Sequence, residues 1–421
     1  MADVAAAPPP PAMPGQGGLA PSSPAALSGD SVEAQRLATV TSFLQDLCSG
    51  LSRDTGRKLS LEQVSELASM HLAPDCTVHV DGLLGAIPPT QGPEAFTAFI
   101  QQERAAYRTV SLEPLLAAVS PDCDVAFALS AFRMKNTGPW HGQPPSGRTS
   151  AGFRLDELRF NAAGQVAEAW CNRQLFEEER PLMIRDPSRH HPAAFDPTLL
   201  QNVPAPQGGS SDESAQLMSP QQLTNMAGLW AEAWNVSADV GEPDPSQLDA
   251  LVDPDFQMLD ALGLTGDDGQ DHPYTAIHSL EDAKRVLLTM AKKYDINETV
   301  QTMAVKPGSN AVFVHWQASE RGGARRALLN PLPAAAAAEA AESAGAGGSA
   351  AAGGADIAAS AASTAAAGPY KAEACDLLIF NPSSGKLRAV LQFRKPLGSD
   401  RRGVLMADTS PAGPPEATMA E

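Results

Sequence analysis

The clearest candidate for chemistry in this sequence is an aspartate placed among the apolar residues of a strand. In the stretch FRLDELRFNAAGQV, Asp156 shares a strand face with Leu158 and Phe160, because successive side chains of a strand point to opposite faces. A buried carboxylate costs free energy unless it is paired, hydrogen-bonded or kept neutral. Asp156 is therefore either the ion-pair partner of Arg154, two residues earlier on the same face, or a pocket residue.

A second aspartate, Asp376, lies in a still more apolar strand. One face of that strand carries Ala374, Leu378 and Phe380. The other face carries Cys375, Leu377 and Ile379. A strand that is apolar on both sides is typical of a sheet buried on both faces.

Other common chemistries find little support. The five cysteines are widely spaced and include no CxxC pair, so neither a disulfide framework nor a zinc site is indicated. No phosphate-binding loop or nucleophile elbow is present, and the histidines lack metal-ligand spacing. We therefore predict no metal and no cofactor. The thiols favour a reducing compartment, the cytoplasm, with an organelle lumen left open.

The charge of the chain argues against two classes of partner. With 49 acidic and 30 basic residues, the formal net charge is -19. A strongly acidic surface repels phosphate backbones and anionic lipid, so we expect neither a nucleic acid nor a membrane surface as partner.

The composition divides the chain into two structured parts. A Pro- and Ala-rich start and a Pro- and Gly-rich connector cannot bury enough apolar surface to offset the entropy of ordering. The predicted division is a disordered tail at 1–30, domain 1 at 31–185, a linker at 186–216, domain 2 at 217–400 with a low-complexity Ala-rich insert at 320–368, and a disordered tail at 401–421.

Both parts repeat one order of elements: helices, a strand, another helix and then three strand-like regions. In the first helix, Leu37, Val40, Leu44 and Leu47 recur at helical spacing after Ser31, a candidate cap. This order predicts an α+β fold of two cone-like domains in tandem, in each of which helices pack in a curled antiparallel sheet.

The terminal hairpins carry a family resemblance. LDELRFNAAGQV in domain 1 and CDLLIFNPSSGKL in domain 2 share an apolar residue, Asp, Phe-Asn and a turn with Gly. Both halves resemble the nuclear transport factor two superfamily, which includes ketosteroid isomerase and the SnoaL-like polyketide cyclases. The resemblance covers most of 33–180 and 219–396.

The resemblance implies three catalytic groups. A protonated aspartic acid that donates a hydrogen bond to an enolate oxygen would correspond to Asp156 and Asp376. A general base on the first strand would correspond to Asp260 in domain 2, on the face of Phe256 and Met258, whereas Val80 stands at that position in domain 1.

The third group departs from the pattern. A tyrosine hydroxyl on the first helix is replaced by Phe43 in domain 1, which cannot donate, and by Trp230 in domain 2, whose indole N–H is a single donor in a different place. Losing one oxyanion donor typically costs about 10²- to 10³-fold in rate. Domain 1 thus reads as non-catalytic, while domain 2 keeps two carboxylates.

Two functions remain open at this point, so the sequence leaves enzyme activity undecided. The first, which we favour, is a non-catalytic scaffold or binding module that holds a small apolar ligand or a protein partner. The residues expected to line its sites are Trp230, Phe256, Met258, Phe380, Asp156 and Phe43. The second is an isomerase, cyclase or dehydratase in domain 2 that moves protons on a hydrophobic carbonyl compound through Asp260 and Asp376.

Each site residue also has a structural interpretation. Asp260 and Asp376 can bond backbone groups or face water. Trp230 and Trp234 lie four residues apart on one helix face and can be core residues. Finally, the apolar outer faces suggest that the two domains pack sheet to sheet as a pseudo-dimer.

Overall fold

The computed structural model describes residues 31–52, 57–80, 89–140, 142–176, 178–179, 218–235, 243–260, 277–293, 296–306, 308–320 and 371–395. The two tails, the linker and all but the first residue of the insert lie outside these ranges, so the predictions about them remain predictions.

Six α-helices are described. They are α1 (Val32–Ser42), α2 (Leu61–His71), α3 (Gly92–Ala106), α4 (Pro220–Ala233), α5 (Gln247–Leu251) and α6 (Leu280–Lys293). A π-helical segment, Phe43–Cys48, continues α1.

Eleven strands are described. They are β1 (Leu72–Val80), β2 (Thr90–Gln91), β3 (Tyr107–Val119), β4 (Val125–Asn136), β5 (Thr149–Phe160), β6 (Val166–Arg173), β7 (Val252–Asp260), β8 (Ile296–Val305), β9 (Ala311–Glu320), β10 (Lys371–Phe380) and β11 (Leu387–Lys395).

Serine side chains fix the starts of three helices. The predicted cap Ser31 is confirmed, since its hydroxyl accepts from the backbone N–H of Ala34 at 3.2 Å. Ser60 and Ser219 each form a capping box with the glutamine three residues on. These caps satisfy N–H groups that have no partner inside the helix.

The strands form two sheets with equivalent order. The first has the order β2-β1-β6-β5-β4-β3 and the second β7-β11-β10-β9-β8. The confirmed fold class is therefore α+β, with each sheet curled beside its helices. We call the two units the first cone (residues 31–179) and the second cone (residues 218–395).

One feature of the sheets differs from the prediction of antiparallel pairing. The first long strand of each cone pairs in parallel with the last, β1 with β6 and β7 with β11. The remaining pairs are antiparallel. The parallel pairs join strands far apart in the chain, and no local pattern reports such a pairing.

Each cone has its own apolar core between helices and sheet. In the first cone, Phe43, Leu44 and Phe96 are among its fully buried members. In the second cone, Trp230, Phe256 and Phe380 belong to the equivalent cluster.

A third apolar cluster lies between the two sheets. It joins Phe127 and Leu129 of β4 to Phe313 of β9 and to Leu377 and Ile379 of β10. The rings of Phe127 and Phe313 stack with centroids 5.7 Å apart. Strand β10 is therefore apolar on both sides because one face meets its own helices and the other meets the first sheet.

Among the described helices, none combines the length and the hydropathy needed to cross a membrane.

Candidate functional sites in the two cones

Asp156 is fully buried and held by a neighbouring arginine. Arg154 Nε lies 2.7 Å from Asp156 Oδ2, and Arg154 Nη2 lies 2.7 Å from Oδ1. Arg154 Nη2 also donates to Cys48 Sγ at 3.1 Å. Burial would lower the pKa of Arg154, but the charge and hydrogen bonds of Asp156 raise it well above its ordinary value. Of the two interpretations of Asp156, the ion pair with Arg154 is the one present.

Arginines and a glutamate, rather than Asp156, face the interior space of the first cone. Cys48, Glu103, Arg154 and Arg173 line two adjoining cavities of about 20 Å³ each. Such a volume suits one water molecule, since a cavity needs about 10–15 Å³ to hold one. The chamber combines these polar groups with apolar side chains such as Phe99 and Leu112, and it is too small for a drug-sized ligand.

Glu103 and Arg173 were missed by the sequence reasoning. Burial raises the pKa of Glu103, although Arg173 and Arg154 act in the opposite direction. Arg173 is itself paired with Glu179, with both nitrogen–oxygen distances at 2.7 Å. Glu103 could have been found, because it continues the buried α3 face of Phe96 and Ile100 at helical spacing.

The remaining family positions of the first cone are apolar. Phe43 lies in the core, stacked on Phe96 with ring centroids 5.7 Å apart. Val80, which the sequence resemblance placed at the general-base position, lines one of the small cavities. Asp81, the next residue, lies outside the described residues.

In the second cone, Asp376 lies at the bottom of a narrow cleft. It is 2 % exposed, and its Oδ2 accepts a hydrogen bond from Trp316 Nε1 at 2.9 Å. The cleft is lined by Trp230, Trp234, Met258, Glu298, Trp316, Asp376 and Gln392. The volume of the cleft is about 10 Å³, about the space of one water molecule.

Asp260 is described only through its backbone. It is the last residue of β7, and its Cα pairs with that of Gln392 on β11. Its side chain lies outside the described residues, so the role of Asp260 as general base remains a prediction.

Glu298 is a cleft carboxyl that the sequence reasoning missed. Its residue is half-buried, but its carboxyl group is enclosed in the cleft. Burial, and secondly the charge of Asp376, raise its pKa well above the usual value. No local signal marks Glu298, because it lies on an ordinary polar stretch of β8 and reaches Asp376 only through the sheet.

The aromatic residues predicted to bind ligand pack in the core. Trp230 contacts Trp234 edge to face at 5.3 Å and Phe256 at 5.5 Å between ring centroids. Phe256 and Phe380 are buried members of the same cluster. Trp230 and Met258 are core residues that also border the cleft.

A buried polar cluster crosses between the sheets. Glu157 Oε1 lies 3.1 Å from His315 Nδ1, and Glu373 Oε1 lies 2.7 Å from His315 Nε2. Cys375 Sγ donates to Glu157 Oε2 at 3.0 Å, and Arg159 Nε donates to Glu157 Oε1 at 3.0 Å. These five residues, the inter-sheet cluster, satisfy charges that would be costly if buried alone.

Within the described residues, no group of three or more His, Cys, Asp or Glu side chains is arranged to hold a metal ion.

No protein-family model and no curated protein sequence matches the chain. Among solved structures it is similar to a proposed polyketide cyclase from Xanthomonas campestris, with 13 % identity, coverage of 34 % of this chain and 91 % of that chain, and a TM-score of 0.27. A proposed SnoaL-like polyketide cyclase from Jannaschia has 17 % identity, coverage of 33 % and 85 %, and a TM-score of 0.27. An epoxide hydrolase-like protein from Mycobacterium tuberculosis has 7 % identity, coverage of 35 % and 81 %, and a TM-score of 0.24.

Each of these matches covers about one third of this chain, and two of the three similar structures are proposed polyketide cyclases. At these TM-scores the similarity carries no argument about activity or ligand. The fold assignment stands on the strand order and register of the chain itself.

Proposed function

We propose that the chain is a non-catalytic binding module: two cones joined sheet to sheet, of which the second offers a cleft to a small ligand and the joined surfaces offer a platform to a protein partner. The observation that carries this proposal is the state of the two family aspartates. Neither is arranged as a neutral donor that faces an open pocket.

Asp156 supports the proposal through its ion pair. Isomerase chemistry needs a protonated carboxyl that donates to an enolate oxygen. Two short contacts to the Arg154 guanidinium stabilise the ionised carboxylate, which only accepts hydrogen bonds. Among the described residues of the first cone, Asp156 is therefore an acceptor, and Phe43 and Val80 stand where the resemblance places the tyrosine and the base.

Asp376 supports the non-catalytic proposal through its hydrogen bond with Trp316 and through the small volume of the cleft beside it. Its Oδ2 already accepts the indole N–H of Trp316, and the enclosed volume beside it is about 10 Å³. A hydrophobic carbonyl substrate the size of a polyketide or steroid has no room beside that carboxyl without large movements.

The contact between the sheets supports a structural role for the pairing of cones. The apolar cluster centred on Phe127 and Phe313 covers a sheet face that a single cone would expose. We propose that this contact takes the place of a homodimer interface, so that the tandem chain is a pseudo-dimer. The free thiols suit a reducing compartment such as the cytoplasm.

Native mass spectrometry of protein purified from its own source tests the binding role. We expect a stoichiometric mass shift from a small molecule or a copurifying polypeptide. A second experiment tests for catalysis by following the exchange of the α-protons of a β,γ-unsaturated ketone in D₂O by NMR. We expect the exchange rate with the protein, and with its Asp376→Asn variant, to equal the rate in buffer alone.

One observation favours the enzyme as a second candidate. Two carboxyls, Glu298 and Asp376, line one cleft, and the pKa of Glu298 is raised, as a general acid near neutral pH requires. Exchange well above the buffer rate that disappears in both Glu298→Gln and Asp376→Asn would establish this candidate and overturn the binding module.

A further inference from the structure

Three of the five tryptophans of the chain line the cleft of the second cone. Trp230 and Trp234 meet edge to face, at 5.3 Å between centroids and 78° between ring planes. Trp316 lies on the neighbouring sheet strand β9. Indole rings carry negative charge on their faces, and a cation over such a face is attracted more strongly than over any other side chain ring.

Acidic groups share this aromatic cleft. Glu298 and Asp376 both line it, and the charge of Asp376 is felt at Glu298. None of the described lining residues is basic. An anionic ligand would therefore be repelled by Asp376, and a neutral apolar ligand would add no favourable charge interaction with the two carboxyl groups.

A buried amide supplies an independent sign of a missing ligand. Gln392 is 2 % exposed, lines the cleft, and its Oε1 accepts no hydrogen bond from any described residue. Buried polar atoms are normally hydrogen-bonded, so an open acceptor here fits a donor that arrives from outside. Gln392 pairs with Asp376 across β10 and β11, which places both groups side by side.

We infer that the cleft of the second cone binds a small organic cation, a protonated or quaternary amine, between its indole rings, its two carboxyl groups and the Gln392 oxygen. This inference rests on the proposed function, because it names the ligand class of the same cleft. Aromatic side chains hold the apolar surface of such a cation, and Asp376 supplies negative charge. The cation also opposes the raised pKa of Glu298, so this carboxyl ionises when the cation binds.

The cleft has to widen before the cation can enter. Its space of about 10 Å³ is too small for a methylated ammonium. Glu298 lies on β8, the edge strand of the second sheet. We expect its side chain to move aside so that the cation reaches Gln392.

Choline chloride is a suitable probe, with 3,3-dimethylbutan-1-ol as the neutral molecule of the same shape and sodium chloride to match ionic strength. The full chain is labelled with ¹⁵N in its tryptophans, and the five indole N–H signals are followed by NMR. We expect saturable shifts of the Trp230, Trp234 and Trp316 signals with choline. The signals of Trp140 and Trp170, which lie in the first cone, should stay in place.

Variants separate charge from shape. Glu298→Gln keeps the size of the side chain but cannot ionise when the cation binds, and we expect it to weaken choline binding at least about tenfold through loss of that charge-assisted contact. Glu281→Gln on α6 is the matched control, because Glu281 is exposed and absent from the cleft lining, and it should change nothing.

The inference is overturned if choline gives no saturable shift, if the neutral alcohol binds equally well, or if Glu298→Gln binds choline as tightly as the unaltered protein. A different small molecule found by native mass spectrometry together with no choline response would reject the cation and leave the binding module standing. Ketone exchange dependent on Asp376 would reject the binding module itself.

Discussion

Asp156 and Asp376 occupy equivalent positions of two hairpin strands, but different residues decide what each can do. The partner of Asp156 is Arg154, two residues away on the same strand face. The partner of Asp376 is Trp316, on a strand 60 residues earlier in the chain. The first partner is readable from strand alternation, whereas the second depends on the register of β9 and β10.

We predict that breaking the Arg154–Asp156 pair from one side is costly. Arg154→Ala leaves a buried carboxylate uncompensated, and we expect the free energy of unfolding to fall by about 3–5 kcal/mol. The double variant Arg154→Met/Asp156→Leu should lose much less, because both charges are removed together. Urea unfolding measures both. A single variant that behaves like the exposed control Glu281→Gln would contradict the strength of this pair.

Glu298 should give the second cone a pH-dependent stability. Its pKa is raised in the folded protein, so the folded state binds more protons than the unfolded state above the ordinary glutamate pKa. The free energy of unfolding should then decrease as pH rises from the ordinary glutamate pKa towards the raised folded-state pKa, since ionisation of the enclosed carboxyl favours unfolding. Urea unfolding across this pH range should show that the free energy of unfolding decreases less with pH in Glu298→Gln than in the unaltered protein. Equal pH dependence in the two proteins would mean that the Glu298 carboxyl is well solvated.

Thiol reactivity should separate Cys123 from the other cysteines. Burial raises the pKa of Cys48 and of Cys76 to about 12, and Cys171 and Cys375 are also buried. Only Cys123 is partly exposed. Ellman's reagent should therefore react with one thiol rapidly and with four more after unfolding, because the thiolate is the nucleophile. Several fast thiols in the folded protein would show that the first-cone core opens readily.

At the scale of elements, the two hairpins share a motif but anchor it differently. In the second cone, Asp253 at the start of β7 accepts from Asn381 Nδ2 at 2.8 Å and from Ser384 Oγ at 3.0 Å. In the first cone, Asn161 Oδ1 accepts only from Gln165 N within its own turn, at 3.0 Å, among the contacts of the described chain. The second turn is thus tied to β7 through the Asn381 and Ser384 side chains. The first turn reaches β1 through a longer contact from a different residue, Gln165 Nε2 to the Leu72 carbonyl oxygen at 3.4 Å.

The anchoring difference predicts unequal effects of one substitution. Asn381→Ala removes a hydrogen-bond donor from the buried Asp253 carboxylate, so we expect the free energy of unfolding, measured in urea, to fall by about 1–3 kcal/mol. Asn161→Ala, the matched change in the first cone, should cost about 0.5–1.5 kcal/mol. Equal costs would mean that the link to β7 contributes nothing.

The same anchor has a pH signature of opposite sign to that of Glu298. Burial acts against the shift, but the hydrogen bonds from the Asp255 backbone, Asn381 and Ser384 lower the pKa of Asp253. Its contribution is therefore present above the unfolded aspartate pKa and is lost as pH falls through the folded value. In Asp253→Asn the loss of stability on acidification should be smaller.

Elements with a local signal could be predicted, and long-range pairings could not. The Ser31 cap and the two-sided apolar character of β10 follow from sequence spacing alone. The parallel pairing of β1 with β6 and the meeting of Glu298 with Asp376 depend on where distant strands align. Glu157 shows what a local pattern cannot predict. Strand alternation places it on the polar face of β5, but that face is buried against the second sheet.

At the scale of the whole molecule, the aromatic pair Phe127 and Phe313 reports whether the cones behave as one unit. Single Phe→Leu variants and the double variant define a double-mutant cycle by urea unfolding. We expect a coupling energy of about 0.5–1.5 kcal/mol, typical of a stacked aromatic pair. The stacked pair Phe43–Phe96, with the same centroid distance inside the first cone, is the control. Coupling at Phe43–Phe96 alone would indicate that the cones unfold separately.

The inter-sheet cluster has a consequence for any attempt to take the molecule apart. Its histidine and Glu373 belong to one half, while Glu157 and Arg159 belong to the other. A polypeptide that comprises either half alone would expose the apolar face of its sheet. It would also leave a carboxylate or an imidazole without its ion-pair partner. Such fragments should precipitate when produced singly and recover a folded state when co-expressed, as two pieces that reassemble.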